Sequence, residues 1–175
     1  MEHGKYTADL GRRLSEDIKS SGRRDLTVLF DHGRQGESTR VVPYFGDYGR
    51  STTLAFVDVT VANKNTKSVA VLCEVEEEGV TPKKVLGDCF NIFISDYAMI
   101  GGTPYDLSHT QIVLGVRASE KGDSRSKVTA MLDRIMSVVK EPYRRDIVLL
   151  EPVFAEDNES LVLRLEDRII EILGV

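Results

Sequence analysis

Two runs rich in β-branched residues, separated by a polar turn, limit what this chain can fold into more than any other feature. Residues 54–61 read LAFVDVTV, residues 63–67 NKNTK and residues 68–76 SVAVLCEVE. Strand formers on either side of a short polar turn predict a β-hairpin. Side chains along a strand alternate between two faces, so Ala55, Val57, Val59 and Val61 are expected on one face, with Asp58 and Thr60 on the other. On the returning strand Val69, Val71, Cys73 and Val75 share a face, and Glu74 and Glu76 lie opposite. If the turn leaves three or five residues unpaired, Asp58 and Glu74 become direct or diagonal cross-strand neighbours on the same side. Three carboxylates then converge on one patch of sheet.

A carboxylate inside an apolar strand is costly, and two or three facing each other repel. A hard divalent cation offsets both penalties. Mg²⁺ prefers oxygen ligands, takes one or two protein carboxylates with waters, and leaves room for a phosphate oxygen. Asp58 and Glu74, flanked by valine, leucine and cysteine, are therefore the candidate metal ligands. For Glu76, Glu77 and Glu78 taken singly, the expected fate is an ordinary exposed hairpin end.

Around the hairpin the chain alternates helix and strand. Tyr6, Leu10, Leu14 and Ile18 are spaced four apart and predict a helix over residues 5–21, ended by Gly22. Residues 25–30 (DLTVLF) are a short strand or a helix extension, residues 31–40 an exposed loop, and residues 41–45 a second short strand. Thr81 and Pro82 suit the first turn of a buried helix continuing through KKVLGDCFNIFISDYA (83–98), broken by Gly101, Gly102 and Pro104. Residues 111–118 (QIVLGVRA) are a buried strand. Asp123 or Ser124 caps a helix whose apolar face is Val128, Met131, Leu132, Ile135, Val138 and Val139, stopped by Pro142. Residues 147–150 (IVLL) form a last strand, and an amphipathic helix spans about 159–173. The expected class is α/β, with antiparallel strands in the middle and later strands added by helical crossovers.

At 175 residues and 41% hydrophobic content, one domain covering residues 1–175 is expected. The 23 basic and 28 acidic residues exclude a polybasic tail as a description of the whole chain. Residues 151–175 hold Arg164 and Arg168 against seven acidic residues, so the main body is neutral and can still present a locally basic face. Only Cys73 and Cys89 are present, which argues against a disulfide framework or a cysteine zinc site. No secretory leader or membrane span is legible, and the cytoplasm is the expected address.

An Asp near the end of one strand, a turn, an adjoining strand carrying Glu-x-Glu, and then a helix resemble the PD-(D/E)xK nuclease superfamily. The resemblance spans roughly residues 5–118 and implies a restriction-endonuclease-like fold: an αβββαβ core with a mixed central sheet flanked by helices, here with an extra C-terminal strand and helices. Asp58 matches the motif's Asp, Glu74 its acidic second position, and Glu76 the place usually held by Lys. Val57 stands where the motif name has Pro. The resemblance implies Mg²⁺-dependent (or Mn²⁺-dependent) hydrolysis of DNA phosphodiesters, with Asp58 and Glu74 as metal ligands and Glu76 completing the ligand set or acting as base. In some relatives the Lys moves onto the following helix, which points to Lys83 or Lys84; solvated surface is the alternative for that pair. Glu16 on the first helix is a further acidic candidate, or simply exposed. Relatives commonly act as dimers, so a homodimer is a further expectation.

Arg12, Arg13, Arg34, Arg40 and Arg50, with Tyr44 and Tyr48 among them, are the candidates for holding nucleic acid, because a guanidinium matches phosphate bidentately. Dispersed surface arginine is the alternative. GRQGES (33–38) lacks the ending of a P-loop, and His3, His32 and His109 are scattered and expected at the surface, with no triad setting. Two rivals stand beside the nuclease: a catalytically silent module of the same fold that binds nucleic acid or protein, and an interaction domain docking through Leu161, Leu165, Ile169 and Ile172 of the last helix.

Overall fold

The computed structural model describes residues 4–37, 39–54, 56–77, 82–118, 124–143, 148–149 and 152–175. His3, Ala55, Glu78, Thr81, Asp123, Ile147 and Leu150 lie outside the described residues, as do the side chains of Lys83, Leu86, Val138 and Val139. In chain order the elements are α1 (Lys5–Ser20), β1 (Leu26–Phe30), β2 (Val42–Tyr44), a 3-10 turn (Arg50–Thr52), β3 (Val59–Asn63), β4 (Ser68–Glu76), α2 (Pro82–Phe93), β5 (Tyr97–Ile100), β6 (Thr103–Asp106), β7 (Gln111–Arg117), α3 (Ser124–Tyr143), β8 (Val148–Leu149), β9 (Val153–Ala155) and α4 (Asn158–Leu173).

All described strands belong to one mixed sheet. β1 pairs antiparallel with β3, β3 antiparallel with β4, and β4 parallel with β7, whose far side takes β8 and β9 in parallel. The two parallel steps run through α2 and α3, the helical crossovers that parallel pairing requires. Alternation along the central strands then splits the core in two. Val71, Cys73 and Val75 face Leu10, Leu14, Leu161, Leu165 and Ile169 of α1 and α4. Leu72, Ile112, Leu114 and Val116 face Val85, Cys89 and Ile92 of α2 and Val128 and Leu132 of α3. The sheet is thus the middle of three layers, and each fully buried leucine removes enough apolar surface to contribute about 1.5–3 kcal/mol.

Two glycines set how closely the layers approach. A Cβ on Gly11 of α1 would lie 2.3 Å from the Phe30 ring, and one on Gly115 of β7 would lie 2.5 Å from Leu165 Cδ1. α4 begins at Asp157, whose carboxylate accepts from Ser160 N–H at 2.7 Å. Leu161, Leu165 and Ile169 are buried inside the molecule and Ile172 is partly buried against the same cluster, so the stripe expected to dock a partner packs on α1 and the sheet, while Leu163 of the same helix stays exposed. Among the described residues no helix is long and apolar enough to cross a membrane.

Four expectations need correcting. α2 ends at Phe93 and residues 97–100 are strand: Ser95 Oγ bonds the Ile92 carbonyl, Asp96 N–H bonds the Tyr44 carbonyl, and β5 pairs with both β2 and β6. Gly101 and Gly102, with φ of 56° and 80°, form the tight turn of the β5–β6 hairpin, since consecutive left-handed residues match the twist of the strands. Pro142 lies inside the last turn of α3 rather than ending it, where its missing N–H forfeits a single bond. Val57 packs in the α2/α3 core, away from Val59 and Val61, because the regular strand starts only at Val59 and Val57 bridges Val41.

Candidate active site

The β3–β4 ladder pairs Val59 with Cys73, Thr60 with Leu72 and Val61 with Val71, then shifts by one so that Ala62 meets Val69 and Asn63 meets Ser68. The turn therefore leaves four residues unpaired, where three or five are the lengths that by themselves bring Asp58 and Glu74 to one side. A β-bulge supplies the missing residue. Continuing the ladder past Val59 sets Asp58 opposite Glu74, on the face that carries Leu72. Without the bulge a four-residue turn would have put Cys73 opposite Asp58 and turned Glu74 to the other side.

Asp58, Glu74, Glu76 and Lys84 line one cleft of about 210 Å³ together with Thr7, His32, Phe56 and Glu77. Asp58 Oδ2 accepts from Val75 N–H at 2.8 Å, and its carboxyl is also hydrogen-bonded to that of Glu74. Burial, the largest influence, pushes the Asp58 carboxyl above the usual aspartate range; the Val75 N–H, the His32 and Lys84 charges and the Glu74 contact oppose it without cancelling it. Burial, aided by the neighbouring Asp58 and Glu74, also pushes the Cys73 thiol far up, so it is a packed, protonated thiol.

Glu74 is 7% and Glu76 2% exposed, which replaces the expected exposed fate of Glu76 with a buried one. Its Oε2 accepts from Lys84 Nζ at 2.6 Å, across the start of α2. Lys84 therefore reaches the site, with its own side chain 55% exposed, while the side chain of Lys83 lies outside the described residues. Among the described residues no three His, Cys, Asp or Glu groups stand in metal-holding geometry. What the cleft offers a cation is the Asp58–Glu74 pair: two carboxyls in contact must share a proton or a positive charge, and a hard divalent ion needs only one or two protein carboxylates. That donor set fits Mg²⁺ or Mn²⁺.

The sequence reading missed the other walls. Glu77, expected at an exposed hairpin end, accepts from Tyr6 and Thr7 N–H at 3.2 Å, so the end of β4 caps the start of α1. His32 lines the cleft with a φ of 60°, and a Cβ on Gly4 would lie 2.1 Å from its ring. Asp31, 7% exposed, accepts from His32 N–H at 2.8 Å and Arg40 Nε at 3.1 Å; burial works against its charge, but these donors and the two positive neighbours hold its carboxyl below the usual range. The signal was the polar Asp31-His32-Gly33 step at the end of an apolar strand, which becomes informative only once β1 is known to lie beside β3.

Of the arginines, Arg12 pairs with Glu37 at 3.2 Å and Arg13 with Glu166 of α4 at 2.6 Å, so both are tied within the fold. Arg34 is exposed and its N–H bonds Glu37. Arg40 stands beside the cleft with its guanidinium 5.0 Å from the Phe56 ring centre, and Arg50 is exposed in the 3-10 turn. Glu16 is exposed on α1, away from the cleft walls. No known protein family, curated protein or solved structure matches the chain.

Proposed function

We propose that the chain is a metal-dependent nuclease hydrolysing DNA phosphodiester bonds, on a restriction-endonuclease-like core formed by α1, β1, β3, β4, α2 and β7. The observation that carries the reading is the contact between the Asp58 and Glu74 carboxyls in the wall of a cleft, from the two arms of a hairpin brought into phase by a bulge. The order of those elements and their antiparallel, antiparallel, parallel pairing support it.

Asp58 and Glu74 would hold the cation. When bound, Mg²⁺ or Mn²⁺ supplies a lowered water pKa and offsets negative charge at the phosphate. Glu76 fixes the Lys84 ammonium at the cleft wall, where it stabilises charge that builds on the phosphate during displacement. Glu77 keeps the α1 N-terminus against the end of β4, so the walls stay in register.

The test is a cleavage assay on plasmid, single-stranded and branched DNA, with and without Mg²⁺, for wild type, Asp58→Asn and Glu74→Gln. Each variant is expected to lose activity by on the order of a thousandfold, as when a group stabilising transition-state charge is removed. Cleavage by both variants at the wild-type rate refutes the assignment. The Glu76–Lys84 ion pair favours a second reading, a silent module of the same fold, because it commits one acidic group to a protein cation. Calorimetry with millimolar Mg²⁺ or Mn²⁺ separates the two: the silent module takes up no heat-detectable metal.

A further inference from the structure

Of the large hydrophobic side chains exposed among the described residues, three lie on the short arm that leads into Asp58: Phe45 at 40%, Tyr48 at 68% and Phe56 at 54%. That arm is itself a small hairpin. Val41 bridges Val57 and Tyr44 bridges Thr53, with Leu54 N–H on the Pro43 carbonyl, so its tip at Tyr48 stands well away from the cleft while its base at Phe56 forms a cleft wall.

Both ends present a flat ring to solvent. At the base, the Arg40 guanidinium covers one side of Phe56. At the tip, Tyr48, Tyr97, Met99, Gly102 and Pro104 line an open slot of about 540 Å³. Its wall is pre-stacked, with Tyr44 parallel to Tyr97 at 5.7 Å and in contact with Tyr48 at 5.1 Å. Gly102, held at positive φ by the turn, leaves that rim without a side chain. The Tyr97 phenol is pushed up by burial and by Tyr44, Asp47 and Asp96, so it stays neutral. Arg40, whose Nε also bonds Asp31, and the exposed Arg50 are the cations of this region, while Asp47 and Asp96 stand beside Tyr97. This arrangement suits a strand whose phosphates meet arginine and whose bases meet rings.

Resting on the nuclease reading, we infer that the substrate of the cleft is single-stranded DNA or a single-stranded end, with one base on Phe56 and another in the tyrosine slot. A duplex hides its base faces inside the stack, whereas a single strand offers a π-face at every nucleotide.

The experiment is fluorescence anisotropy with a labelled dodecamer oligothymidylate and a duplex of equal length, in EDTA so that no cleavage occurs. The chain has no tryptophan, so quenching of tyrosine emission is a second readout. Expected are binding of the single strand at least about tenfold tighter than of the duplex, and a loss of about tenfold in Tyr48→Ala and in Phe56→Ala, from base stacking worth about 1–3 kcal/mol. Phe90→Ala, on an exposed ring of α2, leaves binding unchanged. Equal affinity for duplex, wild-type binding by both arm variants, or no binding of the oligothymidylate overturns the inference, the last leaving the rings to a protein partner. Because metal is absent throughout, loss of stacking and loss of the nuclease reading are seen separately.

Discussion

Replacing Asp58 by Asn should make the metal-free protein more stable. Asp58 is held by one backbone bond, from Val75 N–H at 2.8 Å, which the Asn carbonyl oxygen can keep. Its other neighbour is the Glu74 carboxyl, to which an amide N–H donates directly, so the shared proton is no longer needed. No bond is lost and a buried negative charge is removed. Gains at sites shaped for function rather than stability run about 0.5–2 kcal/mol. For a chain of this length each kcal/mol raises Tm by about 2–4 °C. The pH dependence fixes the sign. Burial raises the folded Asp58 pKa, so its stabilising, protonated form is fully present below the ordinary aspartate value and is lost as pH rises through the folded value. Asn has no such loss, and the gap between variant and wild type must widen as pH rises from below the ordinary aspartate value through the raised folded one. The assay is thermal unfolding in EDTA across that range, repeated with Mg²⁺. There the wild type gains about 2.7 kcal/mol at a hundredfold excess over Kd, while the variant gains less. A variant less stable than wild type in EDTA at the alkaline end, or a gap that narrows with pH, would refute the account of a strained carboxyl pair.

Three further outcomes follow from the packing. Lys84→Met removes a partner of a carboxylate that is only 2% exposed and should cost about 1–3 kcal/mol, while Glu76→Gln leaves behind a lysine that water can solvate and should cost less than about 1 kcal/mol; equal losses in urea titration would contradict that asymmetry. Gly11→Ala drives a methyl into the Phe30 ring and should cost about 1–3 kcal/mol in the same assay, with an unchanged midpoint refuting the contact. Deleting residues 157–175 bares Leu10, Leu14 and Val113 and should abolish the cooperative unfolding transition seen by circular dichroism. A folded, merely less associated product would restore the last helix as a docking surface.

Much of the sheet was legible because its strands are short, β-branched and bounded by glycine or polar turns. β1, β3, β4 and β7 fall within a few residues of where their composition put them. Three elements were hidden for physical reasons. β5 follows α2 with no proline or glycine between them, so its strand character depends on pairing with β2 and β6 rather than on local signals. β6 contains Pro104, which reads as a breaker. β9 is three residues long and gains its strand geometry from lying beside β7. At the site, alternation on β3 and β4 put Asp58 and Glu74 on one face only on the condition of a three- or five-residue turn, and the turn has four. The route differed, since the bulge after Val61 is a property of pairing that no residue announces. His32, Glu77 and Thr7 were out of reach, because each touches the cleft only through neighbours brought in from elsewhere in the chain.

The bond from Glu77 to the first turn of α1 joins residues 70 and 71 positions apart. Closing so large a loop is slow, and its entropic cost falls before any contact rewards it. A nascent chain that has emerged only as far as β3 holds the residues of α1, β1 and β3 but no acidic cleft, because Glu74, Glu76, Glu77 and Lys84 come from β4 and its exit and from α2. In refolding, closure of the Glu77 contact on α1 should therefore trail recovery of the helical signal.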